Sequence, residues 1–173
     1  MTYLAKAFLI GAALALGACT NPTLYDDTNS VDLNGAGTGT GTVEPGSISD
    51  PASPAYFQEA VGDRVLFVVD QSSLTPQGHA TLDAQATWLT VNTDFVATIE
   101  GHADEQGTRE YNLALGARRA NTVREYLMAR GVAGSRLKTV SFGKERPIGI
   151  CSDESCYAQN RRAVTVLSGG LTG

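Results

Sequence analysis

Arg64 to Val69 reads Arg, Val, Leu, Phe, Val, Val, and this β-branched and aromatic run predicts a first strand, buried on both faces. Asp70, Gln71, Ser72 and Ser73 follow as a polar loop. Thr75 and Pro76 then give a hydroxyl N-cap with proline at the first helical position. Leu82, Ala86 and Leu89 recur at helical spacing and predict a helix to about Asn92. From Phe95 to Gly101 the period changes to two: Phe95, Ala97 and Ile99 alternate with Val96, Thr98 and Glu100, as in a strand with one buried face. A long amphipathic helix comes next, carrying Asn112, Leu115, Arg119, Ala120, Val123 and Leu127. It runs to about Arg130, where Gly131 suits a left-handed stop. Leu137 to Phe142 and Arg162 to Leu167 read as two more strands. The order β-α-β-α-β-β implies an α+β two-layer sandwich, with helices on one face of a mixed four-stranded sheet.

Polar residues inside this pattern locate the chemistry. Asn112 and Arg119 are seven positions apart; steps of about 100° bring them to within roughly 20° of one direction. Leu115, Ala120 and Val123 flank Arg119, so its guanidinium lies on an apolar stripe and needs an acceptor. The nearest candidate is Asp104, in the loop that feeds the helix, and Asp104 with Arg119 is taken as the centre of function. Glu100, His102 and Asp104 stand close in sequence and raise the alternative of a hydrolase. On a strand end His102 is expected to point away from the space between the two acids. No serine or cysteine is placed to complete a nucleophilic triad, and no histidine–cysteine spacing suits a metal, so neither turnover, cofactor nor metal is expected. Trp88 reads as packing, and Arg118, Arg124 and Arg130 as solvated helix-face charges.

The first 55 residues follow other rules. Residues 1–18 form a signal peptide, with one early lysine, an apolar run from Ala7 to Ala18 too short to span a bilayer, and small residues at Gly17 and Ala18. Cys19 directly after them resembles the lipobox of bacterial lipoproteins, which implies cleavage before Cys19, acylation of its thiol and amine, and anchoring by several chains. Thr20 after it resembles the sorting signal for the outer membrane, with the folded domain in the periplasm. Residues 19–55 contain Pro22, Pro45, Pro51, Pro54 and a Gly-Thr repeat at 37–42, a composition expected of a disordered linker. Its root-mean-square reach is roughly 30–35 Å. The domain occupies 56–168, with a short tail at 169–173.

The chain has 173 residues and a formal charge of -5, which argues against nucleic acid as a partner. No lysine or arginine lies between Thr20 and Asp63, whereas Asp104 to the end carries 11 basic against 7 acidic residues. The C-terminal half is therefore the part suited to an anionic ligand. With Cys19 lipidated, Cys151 and Cys156 remain; an exported protein lives in an oxidising compartment, so a disulfide between them is expected in preference to a metal pair.

Several segments together resemble one family. These are Arg64 to Asp70; Gly101, His102, Ala103 and Asp104; the Asn112, Leu115, Arg119, Ala120, Val123 and Leu127 series; Gly143 to Pro147; and Asn160, Arg161 and Arg162. This is the OmpA-like, peptidoglycan-associating domain, and the likeness spans about residues 56 to 168. It implies non-covalent binding of cell-wall stem peptides and, for lipid-anchored members, docking of the periplasmic protein TolB. Diaminopimelate in an uncrosslinked stem presents an ammonium and a carboxylate on one carbon. The resemblance implies that Arg119 clasps the carboxylate and Asp104 accepts from the ammonium. Asn112, Leu115 and Arg161 are then rim or support positions, and Phe67 and Asp70 form the other wall. The chain departs from the family pattern at Val68 and Val69, where relatives carry Asp and Phe. Flagellar stators and β-barrel porins with a similar domain need a transmembrane helix or many more strands.

Overall fold

A computed structural model describes residues 43–150 and 152–169. Four strands, β1 (Arg64–Leu66), β2 (Phe95–His102), β3 (Leu137–Gly143) and β4 (Arg162–Gly169), form one sheet in the order β1-β4-β2-β3. Four helices accompany them: α1 (Pro54–Tyr56), prolonged by a π-helical stretch Phe57–Gly62, α2 (Pro76–Val91), α3 (Arg109–Ala129) and α4 (Glu154–Asn160). β2 and β3 pair in parallel across α3, as a strand–helix–strand unit requires. The last strand inserts between β1 and β2 and runs antiparallel to both. The mixed two-layer sandwich is the architecture that the hydrophobic pattern implies. No described helix is long and apolar enough to cross a membrane.

The helix ends follow their capping residues. Thr75 accepts from the Gly78 amide at 3.0 Å and Thr108 from the Tyr111 amide at 3.2 Å. At the end of α3 the Gly131 amide donates to Met128 and the Val132 amide to Leu127, with Gly131 at φ 98, which is a Schellman closure. Leu82, Ala86 and Leu89 of α2, Val123 and Leu127 of α3, and Ala97 and Ile99 of β2 belong to one buried core. Trp88 lies tilted between Phe57 and Phe95. Its indole donates to the Pro51 carbonyl at 2.7 Å, and Ser53 is buried, so the chain is packed on α2 before Tyr56, within the stretch that composition assigns to the linker.

The first strand is shorter than predicted and is buried on one face only. Val65 is buried between exposed Arg64 and Leu66. The reason is its position: β1 is an edge strand, and the helices cover one side of the sheet. The Phe67 amide adds one bond to the Arg161 carbonyl, and then the chain turns away, with the Gln71 amide bonding to Val68 and Asp70 at φ 57. Val68 and Val69 are consequently exposed. A second difference is α4, which pattern reading leaves as a loop. Asp153 caps it by accepting from the Cys156 amide at 3.0 Å. Cys156 is disulfide-bonded; Cys151, its expected partner, lies outside the described residues, as do Cys19 and the signal segment.

Candidate functional site

Three segments converge at the carboxyl end of β2. Asp104 follows β2, residues 105–108 loop back, and α3 begins, while residues 67–71 form the facing wall. The loop is pinned from two sides. Asn112, buried on α3, donates to the Gln106 carbonyl at 2.8 Å, and Lys144 donates to the Gly107 carbonyl at 2.7 Å. Gly107 at φ 90 makes the turn without a Cβ clash. α3 can lie this close to β2 because glycine faces glycine: a Cβ on Gly101 would stand 1.9 Å from the Gly116 carbonyl oxygen.

The result is a cleft of about 310 Å³, lined by Val69, Asp70, Asp104, Gln106, Gly107, Tyr111, Asn112 and Leu115. Four predicted site residues, Asp70, Asp104, Asn112 and Leu115, thus share one wall-and-floor surface. The Tyr111 hydroxyl donates to Asp70 and ties the two sides together. A larger hollow of about 420 Å³ between α2 and α3 holds one exposed ion pair, Arg130 with Asp83 at 3.0 Å. It has no buried charge, so the chemistry favours the smaller cleft.

Arg119, Phe67 and Arg161 lie beneath the cleft. Arg119 is fully buried. Its Nε donates to the Gln71 carbonyl at 2.8 Å, Nη1 to His102 at 2.8 Å and Nη2 to Val68 at 3.2 Å, and its guanidinium lies 5.2 Å from the Phe67 ring centre. Asp104 instead forms its ion pair with Arg161, Nη1 to Oδ2 at 3.1 Å. The direct acceptor expected for Arg119 is therefore corrected. Three main-chain carbonyls supply the partners that a buried guanidinium needs, and the two arginines stand side by side under the acid. Burial lowers the Arg119 pKa to about 10, opposed by the charges of Asp104 and Asp70, so the group is still a cation at neutral pH.

His102 is buried at the end of β2. Its Nε2 stands 3.8 Å from the Glu100 carboxylate, and neither ring nitrogen has a hydrogen-bond partner. Burial, followed by the nearby Arg162 and Arg146 charges, lowers its pKa to about 4. A neutral imidazole without a hydrogen-bonded acid behind it lacks the orientation of a catalytic base. Among the described residues no group of three or more histidine, cysteine and acidic side chains is placed to hold a metal.

Pattern reading missed Tyr111 and Glu154. Tyr111 precedes Leu115 by one helical turn, and that spacing is a signal that could have placed it on the cleft side. Glu154 contacts Arg161 from a helix that the sequence does not announce.

The OmpA family profile matches residues 66–161, more than half of the chain. The peptidoglycan-associated lipoprotein of Mesorhizobium japonicum is 49% identical over 158 residues, covering 91% of this chain and 88% of that one. That of Rhizobium meliloti is 51% identical over 156 residues, covering 90% and 83%. The crystal structure of the peptidoglycan-associated lipoprotein from Burkholderia pseudomallei superposes with a TM-score of 0.62 at 40% identity, covering 70% of this chain and 98% of that one. The C-terminal domain of Helicobacter pylori MotB shares the fold, with a TM-score of 0.59 at 19% identity over 62% and 85% of the two chains. By the profile match and by relatives about half identical over nine-tenths of its length, the chain belongs to the OmpA family and groups with its peptidoglycan-associated lipoproteins.

Proposed function

We propose that this protein is an outer-membrane lipoprotein, held by acylated Cys19, whose periplasmic domain binds peptidoglycan without turnover and so ties the outer membrane to the wall. The ligand is the free diaminopimelate end of a stem peptide. Its ammonium sits against Asp104 and Asp70 in the cleft. Its carboxylate is drawn to the Arg119 cation below and exchanges with a loop carbonyl; Val68, at 3.2 Å the longest of the three contacts, is the first to yield. Asn112 and Leu115 shape the floor, Phe67 backs the guanidinium, and Arg161 supports Asp104. The names of the relatives support the wall as partner. In this reading the domain also docks TolB and serves the Tol–Pal system in envelope integrity and cell division. Cys151 and Cys156 form the disulfide that closes the loop before α4.

One observation carries the proposal: two carboxylates line a cleft sized for one amino-acid end, and a fully buried guanidinium lies beneath it. Sedimentation with purified sacculi tests it. Asp104→Asn removes the acid while keeping the shape, and pelleting should weaken at least tenfold, about 1.4 kcal/mol. A folded Asp104→Asn protein that pellets like the parent overturns the site.

A further inference from the structure

Arg161 is the least exposed charge shared between two acids in this structure. It stands 4% exposed, with Nε donating to the Phe67 carbonyl at 3.2 Å. Nη1 is divided between Asp104 Oδ2 at 3.1 Å and Glu154 Oε2 at 3.4 Å, and Nη2 donates to Glu154 Oε1. Glu154 therefore engages both terminal nitrogens, whereas Asp104 receives one bond. A guanidinium facing a single carboxylate closes on it through two parallel bonds. Here the fork is turned towards Glu154.

This has a consequence for Asp104. An ionised carboxylate offers about four acceptor positions. Arg161 fills one, and the Gln106 amide approaches Oδ1 at a long 3.3 Å. Asp104 lines the cleft, so acceptor positions are left over for a ligand there. Glu154 sits in the first turn of α4, next to the capping Asp153 and two residues before disulfide-bonded Cys156, so its backbone is fixed. Its side chain is 66% exposed, unlike those of the other two members of the triad. Burial opposes the Arg161 charge, but the two acids outweigh it and raise the guanidinium pKa.

We propose that Glu154 is a positioning residue for the cleft: by holding Arg161 from behind, it keeps Asp104 open to the cation of a ligand. The inference rests on the binding role proposed above and deepens it. When an ammonium enters, Arg161 keeps a full partner in Glu154 and need not compete for Asp104. Without Glu154, the buried guanidinium has Asp104 as its one carboxylate partner and turns both terminal nitrogens towards it.

The test compares two muramyl tripeptides, one with the free diaminopimelate amine and one acetylated there. Both are titrated into the full-length protein in detergent micelles. Glu154→Gln should weaken binding of the free-amine peptide roughly two- to fivefold, the scale of a solvent-exposed ion pair. It should leave parent and variant alike towards the acetylated peptide, which offers Asp104 no cation, and Glu154→Asp should recover most of the loss. An equal loss with both peptides shows a merely structural residue and overturns the proposal. So does unchanged free-amine binding in Glu154→Gln while Asp104→Asn still weakens it. If Asp104→Asn is itself without effect, the reading of the cleft falls first and this inference with it.

Discussion

Replacing Arg119 by methionine separates a group that binds ligand from one that also builds the cleft. The side chain keeps similar length and loses three donors. The His102 carbonyl is enclosed at the end of β2, and leaving it unpaired costs about 1–3 kcal/mol. The Val68 and Gln71 carbonyls belong to a loop that can turn to water, so each costs about 0.5–1 kcal/mol. Removing a buried cation returns part of this. The net expectation is a loss of about 3 kcal/mol, which at a urea slope of roughly 1.5 kcal/mol/M moves the midpoint by about 2 M. Trp88 is the only tryptophan in the sequence, lies in the core away from the cleft, and reports the transition by fluorescence. Arg136 is the control. It donates to the carbonyls of Phe95, Leu89 and Asn92 from a half-buried position at the far end of the sheet. Arg136→Met should cost less, about 1–2 kcal/mol, and leave sacculus binding unchanged. A midpoint shift below about 0.3 M in Arg119→Met would refute the view that this guanidinium holds the 68–71 wall in place.

His102 makes stability depend on acid. Its pKa falls from 6.5 to about 4 on folding, so the unfolded chain takes up the proton first. The contribution is complete above about pH 6.5 and is lost as pH falls towards 4, by up to about 3 kcal/mol. Leucine in its place removes two unpaired nitrogens, and His102→Leu should flatten the slope of unfolding free energy between pH 7 and 4.5; an unchanged slope would assign the acid sensitivity to other groups. Gly101→Ala would drive a methyl into the Gly116 carbonyl at 1.9 Å, and neither backbone can yield cheaply. A loss of about 3–5 kcal/mol, read as a fall in Tm or as failure to fold, is expected. A variant that melts with the parent would mean that α3 can lift off β2.

Much of the frame was legible because local signals and tertiary needs agree. Thr75 with Pro76, the period-two run at Phe95 to Glu100 and the Gly131 stop each specify an element without reference to the rest. Val68 and Val69 misled because their strand preference is real, while the ladder they would join ends at the Phe67 amide. The place of β4 between β1 and β2 is a pairing choice that no local pattern carries. Within the site, the spacing of Asn112 and Arg119 was readable, but side-chain reasoning looked for a side-chain acceptor. The acceptors of Arg119 are main-chain oxygens, invisible to residue type, and the partner of Asp104 is an arginine 57 positions away. α4 is a single capped stretch of seven residues, too short for a periodic signal.

The seating of Gly116 on Gly101 also settles where the domain can adapt. A helix in van der Waals contact with strand backbone has no room to slide, so one jaw of the cleft is anvil-like. Compliance is left to the opposite jaw, where a non-glycine residue holds a left-handed turn and two exposed valines face solvent. Substitutions that retune selectivity should therefore accumulate at 68–71, and those along the glycine seam should be lethal to the fold before they alter recognition.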